Sequence, residues 1–430
     1  MTWQNWSGLA TAHPRSVSTP TSVDEVVDEV RSALAAGATV KMPGTGHSFT
    51  DIAVAEDTLL LPTALTGITR VDRDRMEVTA LAGTPLKVLN AELERLGLSL
   101  HNMGDIAEQT LAGATSTGTH GTGGLAASLS AQLAGLELVT GTGELIRANA
   151  EENPEVFSLA RVGLGALGII TSLTFKVEPL FTLEAFESPM SWEEVTGDFD
   201  RLVADNHHFE FYWFPHTDRC LTKQDNRTLD EAEPLSSVRR WVDDDLLSNK
   251  VFGLVNRLGN VRPSLIPTIN SLSAQALSAR RFSDVPHKVF VTERNVRFRE
   301  MEYAVPRAAG MEALREARAL IERRGWRISF PVEVRTAPAD DIALSAAYDR
   351  ETVYLAFHVN QRTDHREYFT EVEHLLRDFD GRPHWGKLHT RTAADLAPAY
   401  PRFQDFLDLR ERLDPQRVFA NDYLRRVLGD

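Results

Sequence analysis

The amino-acid sequence predicts a two-domain α+β protein, and three observations carry that expectation. The chain has 430 residues, 42% hydrophobic and 25% charged, which is ordinary globular composition in a length that exceeds one hydrophobic core. Its texture changes near residue 178. Small residues dominate before Pro179, and aromatic and charged residues dominate after it, as in Phe209-Glu210-Phe211-Tyr212-Trp213-Phe214. Beyond that point strand-like and helix-like periodicities alternate, which suits an α+β domain.

In chain order, the first helix is expected between Ser22 and Gly37: Ser22 can cap it, acidic residues fill its first turn and Gly37 closes it. A short extended run, residues 39–43, then leads into the glycine-rich turn Gly44-Thr45-Gly46-His47-Ser48, so a strand delivers His47 to a loop. Residues 76–81 alternate as a strand does, and Leu86, Leu89, Leu93 and Leu96 recur at helical spacing before Gly97. Residues 111–124 are mainly Ala, Gly, Ser and Thr around His120. Such a run packs poorly as a core, and close backbone approach to something flat or charged explains it better. A flexible linker is the alternative, but Leu111, Ala112 and Ala114 interleave with the polar residues, whereas linkers are continuously polar.

Residues 163–168 spell Gly-x-Gly-x-x-Gly, the dinucleotide fingerprint. That fingerprint should follow a strand and open a helix. Here a helix-like segment, residues 155–161, precedes it and the β-rich residues 169–175 follow. The context disfavours a conventional nicotinamide site.

In the second half, the aromatic run 209–214 reads as alternating strand packing, because it lacks the surrounding basic residues of a nucleic-acid groove. Strands are expected at residues 289–292, 328–335 and 353–358, and helices at 310–324 and 366–378. The polar stretch 226–237 reads as a surface loop. The end of the chain is helical from Tyr400 to about Leu413, turns at Asp414-Pro415 and closes with an amphipathic piece. Within residues 331–336, Glu333 and Arg335 lie two apart, so their side chains share one face of a strand while Val332 and Val334 take the other. A sheet can thereby present an acid and a base to one cavity; the alternative is an exposed ion pair worth about 0–1 kcal/mol.

Composition sets further bounds. The formal net charge is −15 and no Lys/Arg cluster is long enough to follow a phosphate backbone, so nucleic acid is not an expected partner. Cys220 is the only cysteine, which removes any disulfide framework or cysteine metal site and fits a reducing cytoplasm. The histidines, His207-His208 included, show no metal-ligand spacing, and no metal site is expected. The first 18 residues lack the basic start and apolar core of a signal peptide. No segment gives the roughly 18 uninterrupted apolar residues of a membrane span, which leaves only peripheral membrane contact open.

From Asn5-Trp6 to Asn421-Asp422-Tyr423 the chain resembles the aldonolactone oxidoreductases of the vanillyl-alcohol-oxidase flavoprotein class, with the alditol oxidases more distant. The resemblance implies a PCMH-type FAD-binding domain over residues 1–178, an α+β substrate (cap) domain over 179–390, and a C-terminal segment, 391–430, that returns to the FAD domain. Gly44-Thr45-Gly46-His47-Ser48-Phe49, entered through Met42 and Pro43, looks like the family's pyrophosphate loop, where consecutive amides form an anion-binding nest. In covalent members the histidine at the position of His47 is bonded to the 8α carbon of the flavin. The second motif runs through Asn102, Gly104, Asp105, Thr110, Gly113, Thr117, Gly118, Thr119 and His120, and in the family it wraps the flavin and pyrophosphate. Ile170 joins the implied cofactor contacts.

The implied reaction is oxidation of an aldono-1,4-lactone, L-gulono- or D-arabinono-1,4-lactone, at C2 by hydride transfer to flavin N5. Such a reaction also needs loss of the hydroxyl proton and stabilisation of negative charge on the reduced flavin, for which fixed positive charge is the natural partner. Arg335 and Lys387, the latter in His384-Trp385-Gly386-Lys387, are expected to supply it, Glu333 to position substrate hydroxyls, and His358 to hydrogen-bond or accept the proton. Gly104 stands where the family's dehydrogenases can carry a larger residue that shields the flavin, so glycine implies oxygen as acceptor; some relatives with glycine are dehydrogenases, which keeps another redox carrier open. Asp105 replaces the serine of alditol oxidases and favours a lactone over an open-chain polyol. An alditol or sugar oxidase producing hydrogen peroxide, and a flavin-binding protein without catalysis, are the alternatives.

Overall fold

The computed structural model of the protein describes residues 2–236, 262–292 and 296–430. Helix α1 (Val23–Ala36) starts where the Ser22 side chain accepts from the Glu25 amide and stops where Gly37 turns left-handed at φ 60°, a conformation glycine adopts at little cost. The chain then enters the two-residue strand Val40–Lys41, part of a small parallel sheet with Ser16–Ser18 and Thr58–Leu60. The Val40 amide donates to the Val418 carbonyl at 2.9 Å, which ties the approach to His47 to the end of the chain.

A five-stranded antiparallel sheet follows. Its strands are β1 (Ile68–Asp72), β2 (Glu77–Leu81), β3 (Leu133–Val139), β4 (Leu145–Asn149) and β5 (Ile169–Lys176), in the order β4-β3-β5-β2-β1. Helices α2 (Leu86–Arg95), α3 (Leu111–Ser116) and α4 (Pro154–Ala160) bury Leu86, Leu89, Leu93, Leu111, Ala114, Val156 and Leu159 in one apolar core with β2 to β5. The fingerprint-like glycines therefore sit between a helix and a following strand. A Cβ on Gly168 would come within 2.6 Å of Leu138 Cδ1 and 2.7 Å of the Val139 carbonyl, so strand packing accounts for that glycine.

The second half forms an eight-stranded antiparallel sheet: β6 (Thr182–Ser191), β7 (His208–Trp213), β8 (Arg219–Thr228), β9 (Arg280–Asp284), β10 (Phe298–Pro306), β11 (Val332–Ala337), β12 (Thr352–Asn360) and β13 (Arg382–Pro383). Their order is β9-β6-β8-β7-β11-β12-β10-β13. Helix α5 (Pro286–Phe290) precedes β10, and α6 (Arg307–Arg324) and α7 (Arg366–Arg377) cover one face. That face is apolar, with Phe209, Phe211, Trp213, Val332, Val334, Leu355 and Phe357 packed against both helices. The strand period of two puts Glu210, Tyr212, Glu333, Arg335, Glu300, Glu302 and His358 on the opposite face. There the sheet meets the small-residue segment of the first half: the Gly123 amide donates to the Thr336 carbonyl at 3.0 Å, and His208 Nδ1 donates to the Thr122 carbonyl at 2.8 Å.

The last residues pack into the first core. Helices α8 (Phe403–Leu413) and α9 (Asp422–Leu428) contribute Phe403, Phe406, Leu409, Leu424 and Val427. Asn421 caps α9 and donates from Nδ2 to the carbonyls of Asp51, Ile52 and Val54 at 3.0–3.1 Å.

Three expectations are corrected. Residues 286–290 form a helix where residues 289–292 were expected to be extended, because Pro286 suits a first helical turn. The strand expected from residue 328 begins only at Val332, since Pro331 has no N–H for a ladder. Asn226–Thr228, expected as loop, complete β8 by pairing with Thr182–Glu184; residue 237, the end of that expected loop, lies outside the described residues. Among the described residues no helix is long and apolar enough to cross a membrane.

Candidate functional site

An open cleft of about 910 Å³, its mouth included, is lined by Met42, Pro43, Gly44, Thr45, Gly46, His47, Ser48, Thr110, Gly113, Thr117 and Ile170, among others. Of the residues expected to hold a cofactor, Gly104, Asp105, Gly118, Thr119 and His120 do not line it.

The loop from Gly44 to Ser48 is held from outside the cleft. The Trp6 amide donates to the Gly46 carbonyl at 2.8 Å, Asn5 Nδ2 to the Ser48 carbonyl at 2.9 Å, and the Phe49 amide to the Gly386 carbonyl at 2.7 Å. Among the described residues no backbone amide from Gly44 to Ser48 donates a hydrogen bond to the protein. Outward-tied carbonyls and a run of unengaged amides are the properties of an anion nest. Gly46 supplies the required left-handed turn at φ 74°. A Cβ on Gly44 would overlap Thr110 Oγ1, and Gly113 Cα would stand 3.6 Å from it, so only glycine lets the two segments approach. These residues fit the diphosphate of the expected FAD.

His47 is half-buried beside this loop, its ring nearly parallel to that of Trp6 with centroids 6.1 Å apart. Burial pushes its pKa below the usual histidine value; the Glu108 carboxylate opposes the shift and Lys387 adds to it. The imidazole is therefore neutral near pH 7 and offers a ring lone pair. Trp6 packs edge-on against Phe298 at 5.2 Å, and Phe298 packs edge-on against His358 at 5.2 Å, an aromatic bridge from the loop to the sheet.

On the polar sheet face, Arg335 is gripped by three acids. Its Nε lies 2.7 Å from Glu210 Oε2, and its Nη2 lies 2.5 Å from Glu333 Oε1 and 3.8 Å from Asp105 Oδ2. Tyr212 Oη stands 2.9 Å from Glu210 Oε1 and 3.1 Å from Glu333 Oε1, one hydroxyl proton serving two carboxylates. Burial disfavours the charge on Arg335, but Glu333, Glu210 and Asp105 together hold its pKa well above the usual guanidinium value. Burial likewise works against the Glu210 carboxylate, and Arg335 and Lys223 overcome it, holding Glu210 well below the usual carboxylate range.

Lys387 forms a second group on the same face. Its Nζ donates to Glu300 Oε2, and Glu300 Oε1 stands 3.3 Å from His358 Nε2. Burial opposes the ammonium charge, yet Glu300, Glu302 and Asp105 raise the Lys387 pKa. Asp105 thus acts on both Arg335 and Lys387. The Lys387 segment is fixed along β10, since the His384 and Leu388 amides donate to the Glu302 and Glu300 carbonyls at 3.0 and 2.9 Å. The structure therefore gathers Glu333, Arg335, His358 and Lys387 on one sheet face, with Lys387 within electrostatic reach of His47.

His120 serves this interface from the other side. Its Nδ1 donates to the Gly121 carbonyl at 2.8 Å, its Nε2 lies 3.2 Å from Glu302 Oε1, and its ring stacks on Tyr354 at 3.6 Å. His120, Glu302 and His384 bring one possible ligand atom each within 4.8 Å of one another, a grouping that sequence spacing did not show. His384 Nδ1 accepts the Gly386 amide at 3.0 Å, which puts its proton on Nε2 and leaves the neutral ring no lone pair for a metal. Burial pushes the His384 pKa down to about 4, so the neutral form prevails. Gly104 is enclosed: a Cβ there would lie 3.1 Å from the His120 carbonyl and 3.4 Å from Thr119 Cγ2. A larger residue there would need these neighbours to shift by a few tenths of an ångström.

Sequence reasoning missed Glu210, Tyr212, Glu300 and Glu302. The signal was present in the same period of two that singled out Glu333 and Arg335: Phe209-Glu210-Phe211-Tyr212-Trp213 and Glu300-Met301-Glu302-Tyr303 each alternate polar and apolar residues.

Comparison with known proteins agrees with this arrangement. The sequence profile of the D-arabinono-1,4-lactone oxidase family matches residues 173–427, and that of an FAD binding domain matches residues 14–149. An L-gulono-1,4-lactone dehydrogenase of Mycobacterium tuberculosis is 40% identical over 427 residues, covering 99% of both chains. The L-gulonolactone oxidase of Bos taurus is 31% identical, covering 99% of this chain and 98% of its own. Among solved structures, a cholesterol oxidase from Brevibacterium sterolicum superposes with a TM-score of 0.83 at 19% identity, covering 99% of this chain and 96% of that one, which speaks to fold alone. A nest beside an unprotonated histidine, a charged sheet face next to it and full-length relatives agree on one assignment: the chain belongs to the D-arabinono-1,4-lactone oxidase family, with the FAD-binding fold of the vanillyl-alcohol-oxidase flavoproteins.

Proposed function

We propose that the protein oxidises an aldono-1,4-lactone, L-gulono- or D-arabinono-1,4-lactone, at C2 with FAD as cofactor. The observation that carries this reading is the convergence of Glu333, Arg335, His358 and Lys387 on one sheet face, with the Lys387 segment tied to the His47 loop through the Phe49 amide and the Gly386 carbonyl. FAD, when bound, supplies the acceptor for the hydride that leaves C2. Glu333 accepts hydrogen bonds from substrate hydroxyls and fixes the ring's orientation. Arg335 and Lys387, both half-buried and both held cationic by neighbouring acids, oppose the negative charge that develops as the C2 hydroxyl loses its proton. His358 takes that proton. With the hydride and the proton both gone, the C2–O bond becomes a carbonyl and charge is conserved.

Three finer points belong to the same reading. His47 bonds covalently to the flavin; its neutral, half-buried imidazole on the cleft wall supports this. Oxygen or another redox carrier reoxidises the cofactor, as relatives named oxidase and dehydrogenase both suggest. The setting is cytoplasmic, with the single Cys220 a buried free thiol.

The test is anaerobic mixing of the purified holoprotein with L-gulono-1,4-lactone, D-arabinono-1,4-lactone and xylitol while flavin absorbance is followed. Bleaching by a lactone supports the reading; bleaching by xylitol alone moves it to an alditol oxidase, and bleaching by none removes the catalytic assignment. Acid precipitation of the same protein should carry the flavin into the pellet, and His47→Ala should release it.

A further inference from the structure

Beside Arg335, a second cavity of about 380 Å³, its mouth included, opens on the same sheet face. Its floor is a row of charges laid across four strands. Glu187 on β6 pairs in register with Arg280 on β9 and with Lys223 on β8, and Lys223 pairs in register with Glu210 on β7. Arg280 grips Glu187 through two hydrogen bonds of 2.8 Å, Lys223 Nζ lies 3.1 Å from Glu210 Oε1, and Glu210 grips Arg335. Asp105 and Arg335, which belong to the candidate substrate site, also line this cavity, so the two spaces share a wall.

Asp225 lies outside that row, two residues along β8 from Lys223 on the same face, with His208 of β7 as one register neighbour. It is 7% exposed and lines the cavity, but its carboxyl makes no hydrogen bond or ion pair among the described residues. Its register neighbour on β6 is Ala185, whose methyl leaves space in front of it. A buried carboxyl without a partner costs free energy unless something hydrogen-bonds to it. An anion in this cavity would face Glu187 and Glu210, and a cation would face Lys223 and Arg335. A neutral group carrying several hydroxyls meets neither conflict, because each hydroxyl both donates and accepts. Burial, opposed by Lys223 and reinforced by Glu210 and Glu187, pushes the Asp225 carboxyl up to about 8, so near pH 7 it too can donate as well as accept.

We infer that this cavity is the subsite for the acyclic, hydroxylated side chain of the substrate, with Asp225 and Lys223 reading the C5–C6 diol of a six-carbon lactone. The inference rests on the lactone reading above. A five-carbon lactone carries one hydroxymethyl group at that end and would leave Asp225 unengaged. Asp225 and Lys223 act on specificity, and the reacting carbon stays with Glu333, Arg335, His358 and Lys387.

The experiment compares flavin reduction by L-gulono-1,4-lactone and D-arabinono-1,4-lactone in wild type, Asp225→Leu, Asp225→Asn and Ala185→Leu, the last filling the cavity from the neighbouring strand. Removing a buried partner of substrate hydroxyls is expected to lower the six-carbon to five-carbon ratio of kcat/KM by about tenfold to a hundredfold in Asp225→Leu, mainly through KM for the six-carbon lactone. Ala185→Leu should shift the ratio in the same direction, and Asp225→Asn, which keeps a donor and an acceptor, should recover most of it. An unchanged ratio in both leucine variants overturns the subsite. So does an equal loss for both lactones, or wild-type flavin that responds only to the five-carbon lactone. Wild-type flavin that responds to no lactone is the separate failure of the functional reading, and takes the subsite with it.

Discussion

Glu210 Oε2 stands 2.7 Å from Arg335 Nε, and Glu333 Oε1 meets Nη2 of the same guanidinium at 2.5 Å. Two strands thus clamp one cation between two carboxylates, and the fork geometry of arginine is what lets it serve both. Arg335→Ala would remove the cation that Glu210 and Glu333 share, at a cost of about 3–5 kcal/mol, and would confuse folding with catalysis. Arg335→Lys separates the two. It keeps the charge and loses the fork, so thermal unfolding should stay within a few degrees of wild type while flavin reduction by a lactone slows at least tenfold. Reduction at the wild-type rate in a folded Arg335→Lys protein would remove Arg335 from the reacting centre.

Lys387 offers a second test of the same electrostatics. Lys387→Met removes the cation that Glu300 binds and that faces the developing oxyanion, and loss of such a preorganised charge is expected to slow flavin reduction by about a hundredfold to a thousandfold. Lys387→Arg should restore part of that rate. If Lys387→Met reduces its flavin as fast as wild type, the group is an ion pair that merely holds β10 and the 384–388 segment together.

Much of this was legible in the sequence, and the gaps have physical causes. Ser22 and Gly37 mark the ends of α1 because capping is local chemistry, and the pairing of Glu333 with Arg335 is visible because a strand alternates faces. Glu210, Glu300 and Glu302 were not singled out, although their strands alternate in the same way, because only the order of strands β7-β11-β12-β10 brings them beside Arg335 and Lys387. Strand order is set by long-range pairing, which no local window contains. The same limit hid the approach of His120 to Glu302 and the dependence of the His47 loop on Asn5 and Trp6.

Gly44 and Thr110 make the nest testable apart from catalysis. A methyl group on Gly44 would overlap Thr110 Oγ1, and overpacking of this kind costs about 1–3 kcal/mol. Gly44→Ala should therefore hold roughly tenfold less flavin per chain after dialysis, read by absorbance. Thr110→Ala removes the obstructing hydroxyl, so the double variant should retain more flavin than Gly44→Ala alone. Additive losses would mean that the two residues bind cofactor independently and that their close approach has no part in shaping the nest.

Asp225 makes a prediction for stability that does not depend on substrate. Its pKa rises from 3.8 to about 8 on folding, chiefly through burial, with Glu210 and Glu187 adding to the shift and Lys223 opposing it. Between those values the native state binds more protons than the unfolded chain, so this group's contribution to stability falls as pH rises through the window. Asp225→Asn cannot ionise and lacks that slope. The variant should therefore gain on wild type as pH is raised from about 5 to about 8.5, by a few kcal/mol at most. Scanning calorimetry at the two ends would show the Tm difference between variant and wild type moving several degrees in the variant's favour. A difference that stays constant with pH would mean that Asp225 ionises normally in the folded protein, through water or a partner that relieves its burial. In that case the cavity floor carries one more negative charge than its geometry suggests, and a cationic group would suit it better than a neutral diol.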